Sequence, residues 1–274
     1  MVDQADKGRA FRALHQRKQT FILPNAWDAG SARVLESTGF TSLATTSAGF
    51  ANSIGQLDGQ PGRDAVLEHA AILVRATDLP ISADLESGFG DSPETVAETI
   101  RAAAQVGLVG GSIEDYTGKR DEPLYPLEVA AERVRAAVEA ARSLDFHFTL
   151  TARADGFNHG RTDLADTIRR LQAYQEAGAD VLYAPGLRTR EELKSVLAEI
   201  DRPLNVLAGA GGLAELTLVE GQALGVTRIS LGDLLTSVAY GALIQAAHEL
   251  KTRGTFGFVT ETARSRVLPV LLRR

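Results

Sequence analysis

The sequence predicts an α/β fold, a parallel (β/α)8 TIM barrel that spans residues 1–274 as a single domain. Short apolar runs alternate with longer segments of helical period along nearly the whole chain, which is typical of parallel strands joined by crossover helices. The 274 residues are close to the roughly 250 that one such barrel needs. Eight strand–helix units favour this barrel over a doubly wound sheet.

Eight apolar runs have the length and the flanking turn residues of buried strands. Their carboxyl ends would meet at one rim of the barrel, where the active sites of such folds lie. The predicted strands lie near residues 20–24, 42–46, 80–84, 110–114, 147–152, 180–183, 203–207 and 227–231.

Helical segments separate these strands, and several have recognisable ends. Ser92 supplies an N-cap and Pro93 the first helical position, while Gly107 and Gly178 stand where C-terminal caps are expected. The segments with Ala, Glu, Arg and Leu at helical spacing are 1–18, 93–106, 127–143, 163–177, 190–200 and 233–253.

Composition excludes several classes of protein. The formal net charge is -6 and the basic residues are scattered, so we expect no nucleic-acid partner. The absence of cysteine excludes disulfides and every thiol mechanism. No apolar run reaches the roughly 18 residues that span a bilayer, and residues 1–7 lack the pattern of a signal peptide. We therefore expect a cytoplasmic protein with no membrane partner.

Acidic side chains follow the third and fourth predicted strands. Asp84 and Glu86 end the third strand, and Glu114 ends the fourth. Three carboxylates that converge without partners repel one another, so positive charge is expected among them. Two sources are possible: an ion-pair network with Arg153, or a Mg²⁺ or Mn²⁺ ion with Arg153 facing a substrate anion.

Other polar residues at the predicted rim have simpler explanations. Helix capping would account for Asp28 and Asp233, and turn formation for Thr46, Ser47 and Asn205. The remaining polar residues at the predicted strand ends are Asn25, Asp115, Asp155 and Ser230.

The other residue types narrow the chemistry. The five histidines form no metal-ligand spacing, and only His159 follows a strand; we expect it to be exposed. No lysine stands at a strand end, which argues against a Schiff-base mechanism. The run Gly209–Gly212 after the seventh strand is too weak a motif to predict a phosphate site.

Five ordered motifs together resemble those of the isocitrate lyase/phosphoenolpyruvate mutase superfamily over roughly residues 10 to 250. These motifs are Pro24-Asn25-Ala26-Trp27-Asp28, Thr45-Thr46-Ser47-Ala48-Gly49, Asp84-Leu85-Glu86-Ser87-Gly88-Phe89-Gly90, Ile113-Glu114-Asp115 and Ala152-Arg153-Ala154-Asp155. The resemblance implies a barrel whose last helix is exchanged between subunits of a homodimer or homotetramer, with Mg²⁺ and a small α-oxo or 2-hydroxy carboxylate substrate.

The resemblance also implies roles for individual residues. Thr46, Ser47 and the backbone of Ala48 would cradle the substrate carboxylate, with Asn205 lining the same pocket. Asp84 would be the principal metal ligand, with Glu86 and Glu114 completing the metal site partly through water. Asp58, Glu114 and Arg153 would take part in catalysis, with Arg153 binding the substrate and stabilising an enolate.

Two departures from the superfamily pattern bear on the reaction. Isocitrate lyases carry a catalytic cysteine in the loop after the fourth strand, whereas this chain reads Tyr116-Thr117-Gly118-Lys119-Arg120-Asp121-Glu122-Pro123 there. The sixth strand is followed by Pro185, where lyases have Glu and the mutase has His. We expect the loop 116–125 to close over the site and to bring Lys119, Arg120 or Tyr116 to the substrate as a catalytic group.

The sequence therefore predicts a Mg²⁺-dependent carbon–carbon lyase or decarboxylase that works without cysteine. Two alternatives stay open: an enzyme that cleaves a P–C bond, and a non-catalytic protein that binds α-oxo acids. The apolar run 266–272 near the end of the chain predicts docking of the segment 233–274 against this subunit or a neighbouring one.

Overall fold

The computed structural model describes residues 2–209, 213, 215–261 and 267–272, and within them eight parallel strands form one sheet. Their order is β1-β8-β7-β6-β5-β4-β3-β2, and a parallel bridge from Asn25 to Ala44 closes the barrel between β1 and β2. The predicted TIM barrel is confirmed. The strands are β1 (Phe21–Leu23), β2 (Leu43–Ala44), β3 (Ile81–Asp84), β4 (Gly110–Glu114), β5 (Thr149–Arg153), β6 (Val181–Tyr183), β7 (Leu204–Leu207) and β8 (Arg228–Ser230).

Helices surround this sheet at the predicted places. Short 3-10 helices occur at Gly156–His159 and Gly257–Glu261. The α-helices are α1 (Gln4–Gln16), α2 (Ala29–Ser37), α3 (Ser47–Ser53), α4 (Arg63–Ala76), α5 (Pro93–Gln105), α6 (Leu127–Arg142), α7 (Leu164–Glu176), α8 (Arg190–Ala198), α9 (Leu218–Leu224), α10 (Leu234–Arg253) and α11 (Val267–Leu271).

The predicted helix caps at Ser92, Gly107 and Gly178 are present in the structure. The Ser92 hydroxyl accepts a hydrogen bond from the Thr95 backbone N–H at 3.2 Å, and Gly107 and Gly178 have φ angles of 98° and 102° after α5 and α7. These expectations are confirmed. The residues of the glycine run at 210–212 lie outside the described part of the chain.

The two aspartates expected to cap helices behave differently. Asp28 caps α2 through a 2.6 Å hydrogen bond from the Ser31 backbone N–H. Asp233 stands at the N-cap position of α10, but its carboxylate accepts from the Ser237 hydroxyl instead of a helix N–H. The predicted helix cap is therefore confirmed for Asp28. Asp233 occupies the predicted N-cap position, but the predicted hydrogen bond from a helix N–H to its carboxylate is wrong.

Helix α1 covers the end of the barrel at which the strands begin. Its Phe11 is fully buried against Leu23 of β1 and Val109 before β4. A Cβ atom on Gly8 would lie 2.5 Å from the carbonyl oxygen of His147, so only glycine allows this close approach. With one end sealed, access to the barrel interior is from the rim of strand carboxyl ends.

The C-terminal segment divides into two parts. Helix α11 packs beside α2 of the same chain, and Arg33 donates a hydrogen bond to the Leu272 carbonyl oxygen at 3.3 Å. This part docks on its own subunit. In helix α10, Thr236 is the one buried residue. Among the described residues, no helix is long and apolar enough to cross a membrane.

Candidate functional site

A pocket of about 310 Å³ opens at the rim formed by the strand carboxyl ends. This volume suits a small molecule. The sequence-predicted residues that line it are Thr46, Ser47, Ala48, Asp58, Asp84, Glu86, Glu114, Arg153 and Asn205. The barrel thus brings together residues that are up to 159 positions apart, from Thr46 to Asn205.

The turn after β3 places Asp84 and Glu86 in this pocket. Asp84 accepts hydrogen bonds from the hydroxyl and the backbone N–H of Ser47 at 2.9 and 3.4 Å. Glu86 has a φ of 49°, a conformation that L side chains rarely adopt, and its Oε1 atom is buried without a hydrogen-bond partner. An unsatisfied carboxylate oxygen in a strained turn is expensive unless a ligand uses it.

Electrostatics at Glu86 favour a cation. Burial, followed by the nearby charges of Asp84 and Asp58, raises the pKa of Glu86 to about 8 against a partial opposing effect of Arg153. Neither Asp84 nor Glu86 forms a salt bridge with any described residue. The ion-pair interpretation therefore leaves two of the three predicted ligands without a positive partner.

Arg133 of α6 holds the same turn in place. Its guanidinium donates to the carbonyl oxygens of Ser87, Gly90 and Asp91, with the Gly90 contact at 2.7 Å. It also stacks 4.1 Å from the centre of the Tyr125 ring. A buried arginine bonded to three carbonyls fixes the backbone from which Glu86 projects.

Arg153 at the end of β5 lies between two carboxylates. Its Nη1 is 3.1 Å from Glu114 Oε2, and its Nε donates to Asp155 Oδ1 at 2.7 Å. Burial opposes the charge of Arg153, but Asp155 and Glu114 outweigh it and raise the pKa of the guanidinium. Burial also raises the pKa of Glu114, with Arg153 opposing. The predicted ion-pair network thus exists, but it involves Glu114 and Asp155.

The predicted metal ligands offer the donor type that Mg²⁺ prefers. No group of three or more His, Asp or Glu side chains in the described residues is arranged to hold a metal ion as it stands. Mg²⁺ keeps several waters and is often bound through one or two carboxylates, so such a group is not required. The unpartnered Glu86 oxygen and the oxygen-only donor set of Asp84 and Glu86 fit this ion.

The chain is similar to known proteins over most of its length. The profile of the phosphoenolpyruvate phosphomutase family matches residues 11–251. The chain belongs to this family. The crystal structure of a candidate lyase or mutase from Burkholderia cenocepacia J2315 has 53% sequence identity and a TM-score of 0.96, over 99% of this chain and 97% of that one.

Two further solved structures resemble this chain, each with 26% sequence identity. One is 2,3-dimethylmalate lyase, covering 100% of this chain and 96% of that chain with a TM-score of 0.87. The other is oxaloacetate acetylhydrolase in complex with 3,3-difluorooxalacetate, covering 97% and 93% with a TM-score of 0.86. The expected enzyme of the isocitrate lyase/phosphoenolpyruvate mutase type is confirmed.

The residues predicted to bind the substrate carboxylate, Thr46, Ser47 and Ala48, lie at the start of α3. Thr46 caps the helix, since its hydroxyl accepts from the Gly49 backbone N–H at 3.2 Å. Ser47 bonds Asp84, and the Ala48 N–H belongs to the first helical turn, where backbone donors have no partner within the helix. Of the three predicted contacts, the Ala48 N–H offers a donor, while the Ser47 hydroxyl already donates to Asp84 and Thr46 caps the helix.

Asp58 projects from the loop after α3 and lines the pocket. Burial of its carboxyl and the charge of Asp84 raise its pKa, while a hydrogen bond with Ser47 and the charge of Arg153 act in the opposite direction. A carboxyl of this kind can hold a proton closer to neutral pH than an ordinary aspartate.

Asn205 forms hydrogen bonds with Ser230, a predicted rim residue, and with Arg228, which the sequence analysis did not identify. Its amide donates to the Ser230 hydroxyl at 2.8 Å, and its oxygen accepts from Arg228 Nε at 2.8 Å. Arg228 also donates to Thr151 at 3.0 Å and to His15 Nε2 at 3.1 Å. The only available signal for Arg228 was a charged residue inside a predicted strand.

The charge of Arg228 is deeply buried in the barrel. Burial lowers its pKa to about 10, and burial together with the Arg228 charge lowers the pKa of His15 to about 3. His15 therefore accepts the hydrogen bond from Arg228 as a neutral imidazole. The pocket floor beneath Asn205 is positively charged.

The loop 116–125 contributes one residue to the pocket lining. Tyr116 lines the pocket, whereas Lys119 is exposed and outside the pocket lining. The Tyr116 ring stacks on His159 with centroids 3.6 Å apart and an angle of 5°. The expectation of an exposed His159 is wrong: its side chain is 26% exposed and lines the pocket, because the 3-10 helix Gly156–His159 turns it inward.

Asp115, expected at the rim, faces the surrounding helices instead. Its carboxylate accepts from the Tyr174 hydroxyl at 2.5 Å and from Arg170 Nη1 at 3.1 Å, both on α7. Strand alternation explains the difference, because Glu114 and Asp115 point to opposite faces of the sheet. Asp115 therefore joins the barrel to its helices and does not reach the pocket.

Proposed function

We propose that this chain is a Mg²⁺-dependent lyase that cleaves a C–C bond, or removes CO₂, from a small α-oxo or 2-hydroxy carboxylic acid. Family membership supports the class of chemistry, and the names of the 2,3-dimethylmalate and oxaloacetate enzymes support the class of substrate. The absence of cysteine excludes the thiol-dependent route of isocitrate lyases.

One observation carries this proposal. Within a single small pocket, Arg153 is held as a cation by Glu114 and Asp155, while neither Asp84 nor Glu86 forms a salt bridge with any described residue. A substrate carrying a carboxylate and an oxo or hydroxyl oxygen could contact Arg153 and share a metal ion with these acids. Such an arrangement places positive charge where negative charge develops during bond cleavage.

Asp84 and Glu86, with Glu114 through water, would hold the Mg²⁺ ion. When bound, the ion would supply positive charge against the oxo group and a carboxylate oxygen of the substrate. The orphaned Oε1 of Glu86 and the raised pKa of its carboxyl are the features that support this assignment.

The protein groups would divide the remaining work. The Ala48 N–H would bind the substrate carboxylate, and Asn205 would contact the substrate from the floor. The Ser47 hydroxyl would join the Ala48 N–H by exchanging its bond to Asp84 for one to the substrate. Arg153 would stabilise the enolate oxygen that forms when the bond breaks, a contribution of several kcal/mol in comparable sites. Asp58 would lie near the reacting oxygen, where its raised pKa suits proton exchange.

The proposal is tested by an NMR screen with Mg²⁺ and oxaloacetate, substituted malates or phosphonopyruvate, beside calorimetry for binding. We expect turnover of an oxaloacetate-like acid or a substituted malate. Exclusive turnover of phosphonopyruvate would instead identify a P–C bond enzyme. Binding without any turnover would identify a non-catalytic protein.

Replacing Asp84 by Ala tests the metal assignment. We expect the Mg²⁺-dependent rate to fall by at least about 10³-fold, because several kcal/mol of charge stabilisation is lost. Asp78→Ala is a matched control, since Asp78 is an exposed acid before the same strand. An Asp84→Ala variant with the wild-type rate would contradict the assigned metal site.

A further inference from the structure

Cleavage of a C–C bond leaves an electron pair on carbon, and that carbon must receive a proton. A thiol cannot supply it, since the chain has no cysteine. Lys119 is exposed and outside the pocket lining, and burial raises the pKa of Tyr183 to about 12, so this phenol holds its proton firmly. Among the described residues, His159 is the one histidine that lines the pocket.

His159 forms a pair with a buried carboxylate. Its Nε2 is 2.7 Å from Asp155 Oδ2, and Asp155 is 1% exposed. The other oxygen of Asp155 accepts from Arg153 Nε at 2.7 Å and from Asn158 Nδ2 at 3.1 Å. One carboxylate therefore orients both the substrate-binding arginine and the histidine.

This pairing fixes which nitrogen of His159 is available. Burial acts to raise the pKa of Asp155, but Arg153 and the hydrogen bond with His159 outweigh it and lower the pKa. An ionised carboxylate can only accept, so the proton between the two groups belongs to Nε2. Nδ1 makes no hydrogen bond to any other described residue, which leaves it free for a substrate.

The stack with Tyr116 fixes the plane of the ring. The two rings are nearly parallel, at 5°, and Tyr116 belongs to the loop that borders the pocket. An imidazole held by a carboxylate at one edge and by an aromatic ring on one face has little freedom to rotate. Such restriction is what a proton-transfer group needs, because the transfer depends on a short, aligned contact.

We propose that His159 is the proton-transfer residue of this site, delivering a proton from Nδ1 to the carbon at which the bond breaks. This inference rests on the proposed lyase function. The electron pair of the broken C–C bond takes the Nδ1 proton, so a C–H bond forms and the N–H bond breaks. The step starts from His159 with a proton on each ring nitrogen and leaves a neutral imidazole that keeps Nε2–H on Asp155. The hydroxyl proton of a 2-hydroxy substrate passes to Asp58 as the carbonyl forms. Asp58 then releases that proton to solvent, and His159 regains one from solvent.

The experiment uses the full-length protein with Mg²⁺ and whichever of oxaloacetate or 2,3-dimethylmalate the wild-type enzyme turns over. We expect His159→Ala to lower kcat by about 10²- to 10⁴-fold, the usual contribution of general acid–base catalysis. KM should change by less than about threefold, because the groups that bind the carboxylate are untouched. His248→Ala, at an exposed histidine on α10, should leave kcat unchanged.

Chemical rescue separates proton transfer from a structural role. Added imidazole should restore part of the kcat of His159→Ala, since it can occupy the vacated space beside Asp155, and should leave wild type and His248→Ala unaffected. His159→Gln, which keeps a polar side chain of similar length, should lose activity without rescue. Wild-type kcat in both His159 variants, or a loss in His159→Ala that imidazole does not restore, would overturn this inference while leaving the lyase function standing. No turnover of any tested acid by wild type would overturn both.

Discussion

Glu86 is the residue whose environment differs most from an ordinary surface carboxylate. It has a positive φ, a buried oxygen without a partner and a pKa raised to about 8 by burial and by Asp84 and Asp58. Each feature alone is costly to the folded state. Their coincidence at one pocket residue is the pattern expected of a binding group.

The pH dependence of stability follows from this pKa. Between about pH 4.5 and pH 8 the folded protein keeps the Glu86 proton while the unfolded chain has lost it, so the free energy of unfolding falls as pH rises. Glutamine cannot ionise. We expect Glu86→Gln to gain about 1–2 kcal/mol over wild type between pH 5 and pH 8 without metal, less than the full pKa difference because solvent screens part of it.

Thermal unfolding at pH 5 and pH 8 measures this gain. For a chain of this size, the Tm of Glu86→Gln should exceed the wild-type Tm by about 2–4 °C for each kcal/mol gained. Mg²⁺ should stabilise wild type more than Glu86→Gln, because only the ionised carboxylate can bind the ion. A constant difference in Tm at the two pH values would contradict the buried, protonated carboxyl.

At the scale of elements, the turn after β3 depends on a helix distant in sequence. Arg133 of α6 donates to the carbonyl oxygens of Ser87, Gly90 and Asp91 and leaves little of its own surface exposed. Within the turn, the Asp84 carboxylate accepts a hydrogen bond from the Glu86 N–H at 3.3 Å. The position of Glu86 therefore depends on this local bond and on the packing of α6 against α5.

Replacing Arg133 by Met tests this support. Three carbonyls would lose their donor, at about 1–3 kcal/mol each at most, so Tm should fall by several degrees. The calorimetric Kd for Mg²⁺ should rise by about 10- to 100-fold, as is typical when a group that orients a metal ligand is lost.

Two further variants make this test independent of misfolding. Arg135→Met removes an exposed arginine from the same helix and should change neither Tm nor Mg²⁺ affinity. Arg133→Lys keeps the charge but cannot serve three carbonyls, so it should fold and still bind Mg²⁺ weakly. Wild-type Mg²⁺ affinity in both Arg133 variants would show that the turn holds its shape alone.

The elements themselves were largely predictable. All eight strands and the helices α1, α5, α6, α7, α8 and α10 lie at the predicted positions, because apolar periodicity and capping residues are local signals. The 14-residue helix α4 was not predicted. The side-chain partners were less accessible. Asp115 and Glu114 are adjacent in sequence, yet only strand alternation decides that one faces α7 and the other the pocket.

At the scale of the whole molecule, α10 is the feature that requires a partner. Val238, Leu243 and Ile244 are 64%, 60% and 66% exposed, and Thr236 alone is buried along the 20-residue helix. Large apolar side chains exposed to this extent along one helix are unusual on a monomer. We propose that α10 packs on a neighbouring subunit of a homodimer or homotetramer.

Analytical ultracentrifugation tests this assembly. Wild type should sediment as a dimer or tetramer, and Leu243→Arg combined with Ile244→Arg should shift it towards monomers, because charge is placed in an apolar interface. Glu132→Arg, at an exposed position of α6, should not change the sedimentation coefficient. A monomeric wild type would contradict the proposed role of α10.

The sequence by itself determined the barrel, its strands, the acids at its rim and the exclusion of a thiol mechanism, because periodicity, turn residues and composition are written locally along the chain. The tertiary structure decided which of these groups meet. Arg228 reaches His15 across 213 positions, and Asp155 joins Arg153 to His159. Such contacts depend on strand register and on the direction in which each residue points when the barrel closes, and neither is encoded in any short segment.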